Sequence, residues 1–126
     1  MPDLDVLLFF DGRMASLPLY EQLEALLFRE FPAAHRRVQK TQITFTGRRV
    51  FACVSFARVR RKAELPAHFL VLTFGLPAPL ASPRVIPVAV RPDRWTHHVV
   101  LSAPEELDGE LLAWLRASYA FSERKR

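Results

Sequence analysis

The hydrophobic period changes several times along the chain. Residues 6–10, Val6-Leu7-Leu8-Phe9-Phe10, form a short apolar run bounded by Asp11-Gly12. A run this short fits a strand or a buried helix, and periodicity alone does not separate them. Leu19, Leu23, Leu26 and Leu27 then recur at helical spacing, behind Ser16 at an N-cap position and Pro18 in the first turn. This predicts a helix to about Glu30, stopped by Pro32. From Val38 the period falls to two. Ile43 and Phe45 face away from Gln42 and Thr44, Gly47-Arg48 marks a hairpin turn, and residues 49–56 return with Val50, Ala52, Val54 and Phe56 on one face. Further strands are predicted over 69–76, 88–91 and 95–101. In the last, Trp95, His97, Val99 and Leu101 alternate with Thr96, His98 and Val100. Ser102-Ala-Pro-Glu105 reads as a capping box opening a second long helix. Its apolar stripe is Leu107, Leu111, Trp114, Leu115 and Ser118, and it reaches about Phe121. The basic tail 122–126 is expected to fray. The fold class that follows is α+β: one two-layer domain over 1–126, with N-terminal helices, an antiparallel β-meander of about five strands and a C-terminal helix.

The chain has 126 residues, of which 50% are hydrophobic and 11% aromatic, so wholesale disorder is excluded and one core is expected. No apolar run is long enough to span a membrane, and the start Met1-Pro2-Asp3 lacks the basic region of a secretory leader. The one cysteine, Cys53, cannot staple the fold, which suits a reducing cytoplasmic setting.

Charge adds more. The net charge is +5, but residues 1–30 are net −4 while residues 31–63 carry nine cations and no acid. Hairpin pairing centred on Gly47-Arg48 sets Lys40 opposite Ser55 and Val38 near Ala57. Arg36 and Arg37 then reach the same end of the sheet as Arg58, Arg60, Arg61 and Lys62, with Arg48 and Arg49 roughly 25 Å away at ~3.3 Å per residue. A basic edge of this kind suits nucleic acid or another phosphate-bearing or acidic partner. The leading expectation is therefore a non-enzymatic binding module.

Trp95-Thr96-His97-His98 is the chemically richest stretch, but neighbours on a strand point to opposite faces, so the two histidines are poorly placed to share a metal. His97 travels with core positions and reads as a hydrogen-bonded core histidine. Lys40 lies on the side of Gln42 and Thr44, where it would share the open sheet face with Thr96 and His98. No close two-cysteine or His-x-x-x-His pattern, nucleophile elbow or glycine-rich phosphate loop is present, so no metal, cofactor or catalytic set is expected. Two further readings stand beside the leading one. The first is a small-molecule site around Trp95, His97 and His98, with the proline-rich stretch 76–87 as a lid. The second is a homodimer or protein-interaction surface on the apolar residues of that stretch, Leu76, Leu80, Val85 and Ile86.

Several segments together carry a family resemblance. They are Leu17-Pro-Leu-Tyr20, Val38-Gln-Lys-Thr-Gln-Ile-Thr-Phe45, Arg49-Val-Phe-Ala52, Ser82-Pro-Arg84, Arg94-Trp-Thr-His-His98 and Asp108-Gly-Glu-Leu-Leu-Ala-Trp-Leu115. Over nearly the whole chain the sequence resembles the bacterial domain-of-unknown-function family 5655. The resemblance implies a compact α+β domain, found alone or attached to larger proteins, and makes the first apolar run a short helix. It implies no activity. Lys40, Arg84, Trp95, His97 and His98 fall at its motif positions and are the candidate binding residues. Gly109 departs from what a helix interior prefers.

Overall fold

The computed structural model describes residues 3–124. The chain forms α1 (Leu4–Phe9), α2 (Leu17–Glu30), β1 (His35–Val38), β2 (Gln42–Thr46), β3 (Val50–Ser55), β4 (Leu70–Leu76), β5 (Ile86–Arg91), β6 (Arg94–Leu101) and α3 (Gly109–Glu123). The strands make one antiparallel sheet in the order β1-β2-β3-β4-β6-β5. One face carries Ile43, Phe45, Ala52, Val54, Leu72 and Phe74, all buried, and the helices pack on it through Leu23, Leu27, Leu111 and Leu115. The result is the expected two-layer α+β domain. Among the described residues no helix is long and apolar enough to cross a membrane.

The first apolar run is a helix because only Val6 and Phe10 of it are buried, and a four-residue interval puts both on one side. Gly12, at φ 76°, turns the chain out of it. Ser16 sits where α2 begins but caps nothing, since a 3₁₀ turn (Met14–Ser16) runs straight into the helix. Its hydroxyl instead donates to the Phe69 carbonyl at 3.2 Å.

The period-two stretch is two strands rather than one. The chain reverses at residues 39–41, and β1 runs back along β2 with Arg36 opposite Phe45 and Arg37 opposite Thr44. The next hairpin pairs Gln42, not Lys40, with Ser55, and a bulge shifts the register between Phe45 and Thr46. The bulge turns Phe51 inward and leaves Val50 half-exposed, which reverses the expected roles of these two residues. Phe51 then meets Phe31 and Tyr119 in an aromatic cluster, with centroids 5.0 and 4.9 Å away.

The proline-rich stretch 77–85 is a crossover. It carries the chain from β4 past the position of β6 to the outer strand β5. Both sheet edges are blunted, β1 by Arg36 and Arg37 and β5 by Pro87 and a bulge. The box expected from Ser102 and Glu105 is not formed; Ala103 is the N-cap of a 3₁₀ turn (Pro104–Glu106), and Glu106 accepts from the Ser102 and Ala103 amides. The long helix starts later. Asp108 is its N-cap, accepting from the Leu111 amide at 3.0 Å, so Gly109 sits at the first helical position and costs little. At the other end α3 runs to Glu123, beyond the expected fray point, because Arg49 donates to the carbonyls of Ser122 and Arg124. The rest of the expected tail, Lys125 and Arg126, lies outside the described residues.

Candidate functional site

The structure divides the candidate residues among four places. Arg36 is a structural cation. It lies on the core face of β1 and bonds Glu24 of α2 at 2.8 Å and Asp3, while the buried Tyr20 hydroxyl donates to the same Glu24 carboxylate at 2.6 Å. Partial burial works against its charge, but the bonds to Glu24 and Asp3 outweigh that and raise its pKa. Arg37 is exposed at mid-sheet, level with Thr44 and Cys53. Neither arginine joins Arg58, Arg60, Arg61 and Lys62. The six-cation cluster expected from the sequence is not formed, because the reversal at 39–41 carries residues 35–38 away from that end.

Arg84 is a clamp. One guanidinium nitrogen bonds Asp108 and Glu110 at 3.0 and 2.9 Å, the other donates to the Glu106 carbonyl, and the group lies 5.3 Å from the Trp114 ring. The crossover is thereby tied to the start of α3. The clamp and the Leu111 amide hold the Asp108 carboxyl below its ordinary range, the amide contributing more.

His97 is fully buried and stacked on Phe74, with centroids 5.3 Å apart. Its Nε2 accepts from the Leu80 amide at 3.1 Å, so the crossover lies over His97 on the helical side of the sheet and is not a lid over the open face. Burial depresses its pKa and keeps the ring neutral. An accepting Nε2 puts the proton on Nδ1, which has no well-formed hydrogen-bond partner among the described residues. Trp95, half-buried, is on this same face opposite Leu76. His98 faces the other way. Its Nδ1 is 2.8 Å from the Thr73 hydroxyl, and burial lowers its pKa as well. Cys53 adjoins Thr73 on the next strand, and burial raises its thiol pKa, which suits an inert side chain. Of the apolar residues of that stretch, Leu76 and Val85 are buried and Leu80 packs on the core, while Ile86 is half-buried opposite His98 on the other face. The exposed apolar residues on this side are instead Val88 and Val90 of β5, beyond Ile86. The exposed large apolar side chains include Leu4, Leu8 and Met14 near the N-terminus and Val88 and Val90 on β5.

Lys40 is at the reversal between β1 and β2, three strand positions from β6, so it does not share a surface with His98. It lies instead where two open clefts meet. The larger, about 460 Å³, is lined by Phe9, Asp11, Arg13, Lys40, Gln42 and Ser55, among others. The smaller, about 280 Å³, is lined by Asp5, Leu8, Phe9, Val38, Gln39 and Lys40. Lys40 and Phe9 form the partition between them. The Arg13 guanidinium lies 4.2 Å above the Phe56 ring. The chain leaves the larger cleft at Ala57 and runs directly into Arg58, Arg60, Arg61 and Lys62. Among the described residues Lys40, Arg13, Arg58, Arg60 and Lys62 make no ion pair, and Arg61 makes only a long exposed one to Glu64 at 3.8 Å. Arg13, Phe9 and Phe56 were not among the candidates. Arg13 was hidden in a net-acidic segment, and its one sequence signal is that Asp11-Gly12 must turn the chain back toward the sheet.

The described residues contain no group of three or more His, Cys, Asp or Glu side chains arranged to hold a metal ion. Fold and site together define a two-layer α+β domain with helices on one face of a six-stranded sheet and an open cleft at one end, lined by Lys40, Arg13 and Asp11 among others. The family model described as a domain of unknown function, DUF5655, matches residues 8–122, and the chain belongs to that family. No curated protein and no solved structure matches.

Proposed function

We propose that the domain is a non-enzymatic binding module, working in a reducing cytoplasmic setting, and that the cleft around Lys40 holds nucleic acid through its phosphates. The observation that carries this reading is the contrast among the cations. Arg36, Arg49 and Arg84 are consumed by internal bonds, whereas Lys40 and Arg13 line an open cleft with Arg58, Arg60 and Lys62 next in the chain and unpaired. Uncommitted cations beside a concavity attract polyanions and release counterions on binding.

The test is fluorescence anisotropy with labelled single- and double-stranded DNA and RNA between about 50 and 200 mM salt. Binding that persists at the higher salt is expected. Lys40→Ala with Arg58→Ala should weaken it and lower the slope of log K against log[salt] by ~1 for each phosphate contact removed. An unchanged slope, or no binding above 50 mM salt, would sink the reading.

A further inference from the structure

The two clefts differ in character from their shared wall. Phe9 stands between them, and its orientation is fixed from behind. It packs edge-on against the fully buried Phe10 at 5.2 Å and stacks on Phe56 at 5.5 Å with an interplanar angle of 24°. Phe56 is itself held by Phe10 at 5.5 Å and by Arg13. A half-buried aromatic ring fixed in this way loses little entropy when a flat ligand lies against it. Leu8, which lines the smaller lobe, is 66% exposed and extends the apolar surface beside Phe9.

Charge sets a position for phosphate. Asp5 lines the smaller lobe, and in the larger the Asp11 carboxylate is offset by the Arg13 guanidinium, while Lys40 lines both. Phosphate is attracted to Lys40, with Asp5 on one side and the offsetting charges of Asp11 and Arg13 on the other. The larger lobe, at about 460 Å³, is within the volume range of small-ligand sites, and the smaller, at about 280 Å³, is just below it. A base inside a duplex has both faces covered by its neighbours and can offer none to Phe9. An unstacked base can.

Resting on the nucleic-acid reading of this cleft, we propose that the ligand is single-stranded, with a phosphate at Lys40 and flanking bases in the two lobes, one of them stacked on Phe9. Base–aromatic stacking of this kind is sequence-tolerant.

Four labelled probes of equal length test it: single-stranded DNA, single-stranded RNA, duplex DNA, and a single strand made of abasic sites that keeps the phosphates and lacks the bases. Base-bearing single strands are expected to bind at least tenfold tighter than the duplex and the abasic strand. Phe9→Leu should cost ~5- to 100-fold in affinity for base-bearing strands while leaving the salt slope unchanged. Leu8→Ser, on an exposed side chain, should move affinity the same way by a smaller factor without threatening the fold. Equal binding of abasic or duplex probes would overturn the single-strand proposal while leaving the phosphate-binding reading intact. Absence of binding to all four would overturn both.

Discussion

Ser118→Ala removes one oxygen from the core, and the structure says what that oxygen does. The ladder between β3 and β4 stops at the pair Ala52 and Phe74, because the bulge pulls Phe51 out of register. The next backbone groups, the Phe51 carbonyl and the Gly75 amide, are joined instead through the Ser118 hydroxyl. It donates to Phe51 at 2.7 Å and accepts from Gly75 at 3.3 Å, and the residue is 1% exposed. Alanine leaves the carbonyl without that partner. Stranding a buried acceptor costs about 1–3 kcal/mol, and we expect about 2. At about 2.1 cal/mol/K per residue, a 126-residue chain has an unfolding entropy near 0.26 kcal/mol/K. The melting temperature should therefore fall by about 8 °C, read by circular dichroism or calorimetry. Ser122→Ala is the control. Its hydroxyl bonds only back to the Tyr119 carbonyl of its own helix at 2.7 Å, and its loss should cost under about 0.5 kcal/mol. A Ser118→Ala protein melting within about 1 °C of the parent would refute the bridging role.

Two more consequences follow from the packing. A Cβ at Gly47 would lie 2.8 Å from the Tyr119 ring, which is stacked on Phe31 at 4.7 Å and has little room to move, so Gly47→Ala should lose about 1–3 kcal/mol in urea unfolding; a loss under about 0.5 would show that the ring yields freely. His97 has a folded-state pKa below its unfolded value of ~6.5, so above that pH both states are neutral and stability is at its full value. As the pH falls below 6.5 the unfolded chain protonates first, and stability declines until the folded pKa is passed. Urea midpoints should drop between pH 7.5 and 5.5, and His97→Gln should reduce that drop to what His98 contributes. An unaltered pH slope in the variant would contradict this account.

Most side-chain roles set by local period were legible in the sequence, Val50 and Phe51 at the bulge excepted. The α+β class follows from the switch between helical and alternating spacing. So does the split of His97 to the core and His98 to the opposite face, since adjacent strand residues must diverge. The placement of the basic residues was not legible. Residues 38–46 alternate correctly whether they form one strand or a strand following a turn, and the difference decides whether Arg36 and Arg37 approach Arg58 or leave it. Arg84 carried a motif position in the sequence, but its bonds to Asp108 and Glu110 join segments far apart in the chain. Likewise the apolar segment around Phe9 and the basic segment around Lys40 show nothing of each other until the fold sets them side by side. Periodicity is a property of neighbours along the chain, so the sequence by itself determined most elements and their faces, but not the separate strand β1 or the bulge at Phe51. Which cations are spent on internal carboxylates and which remain beside an open cleft depends on contacts between distant segments, and only the tertiary structure decided that.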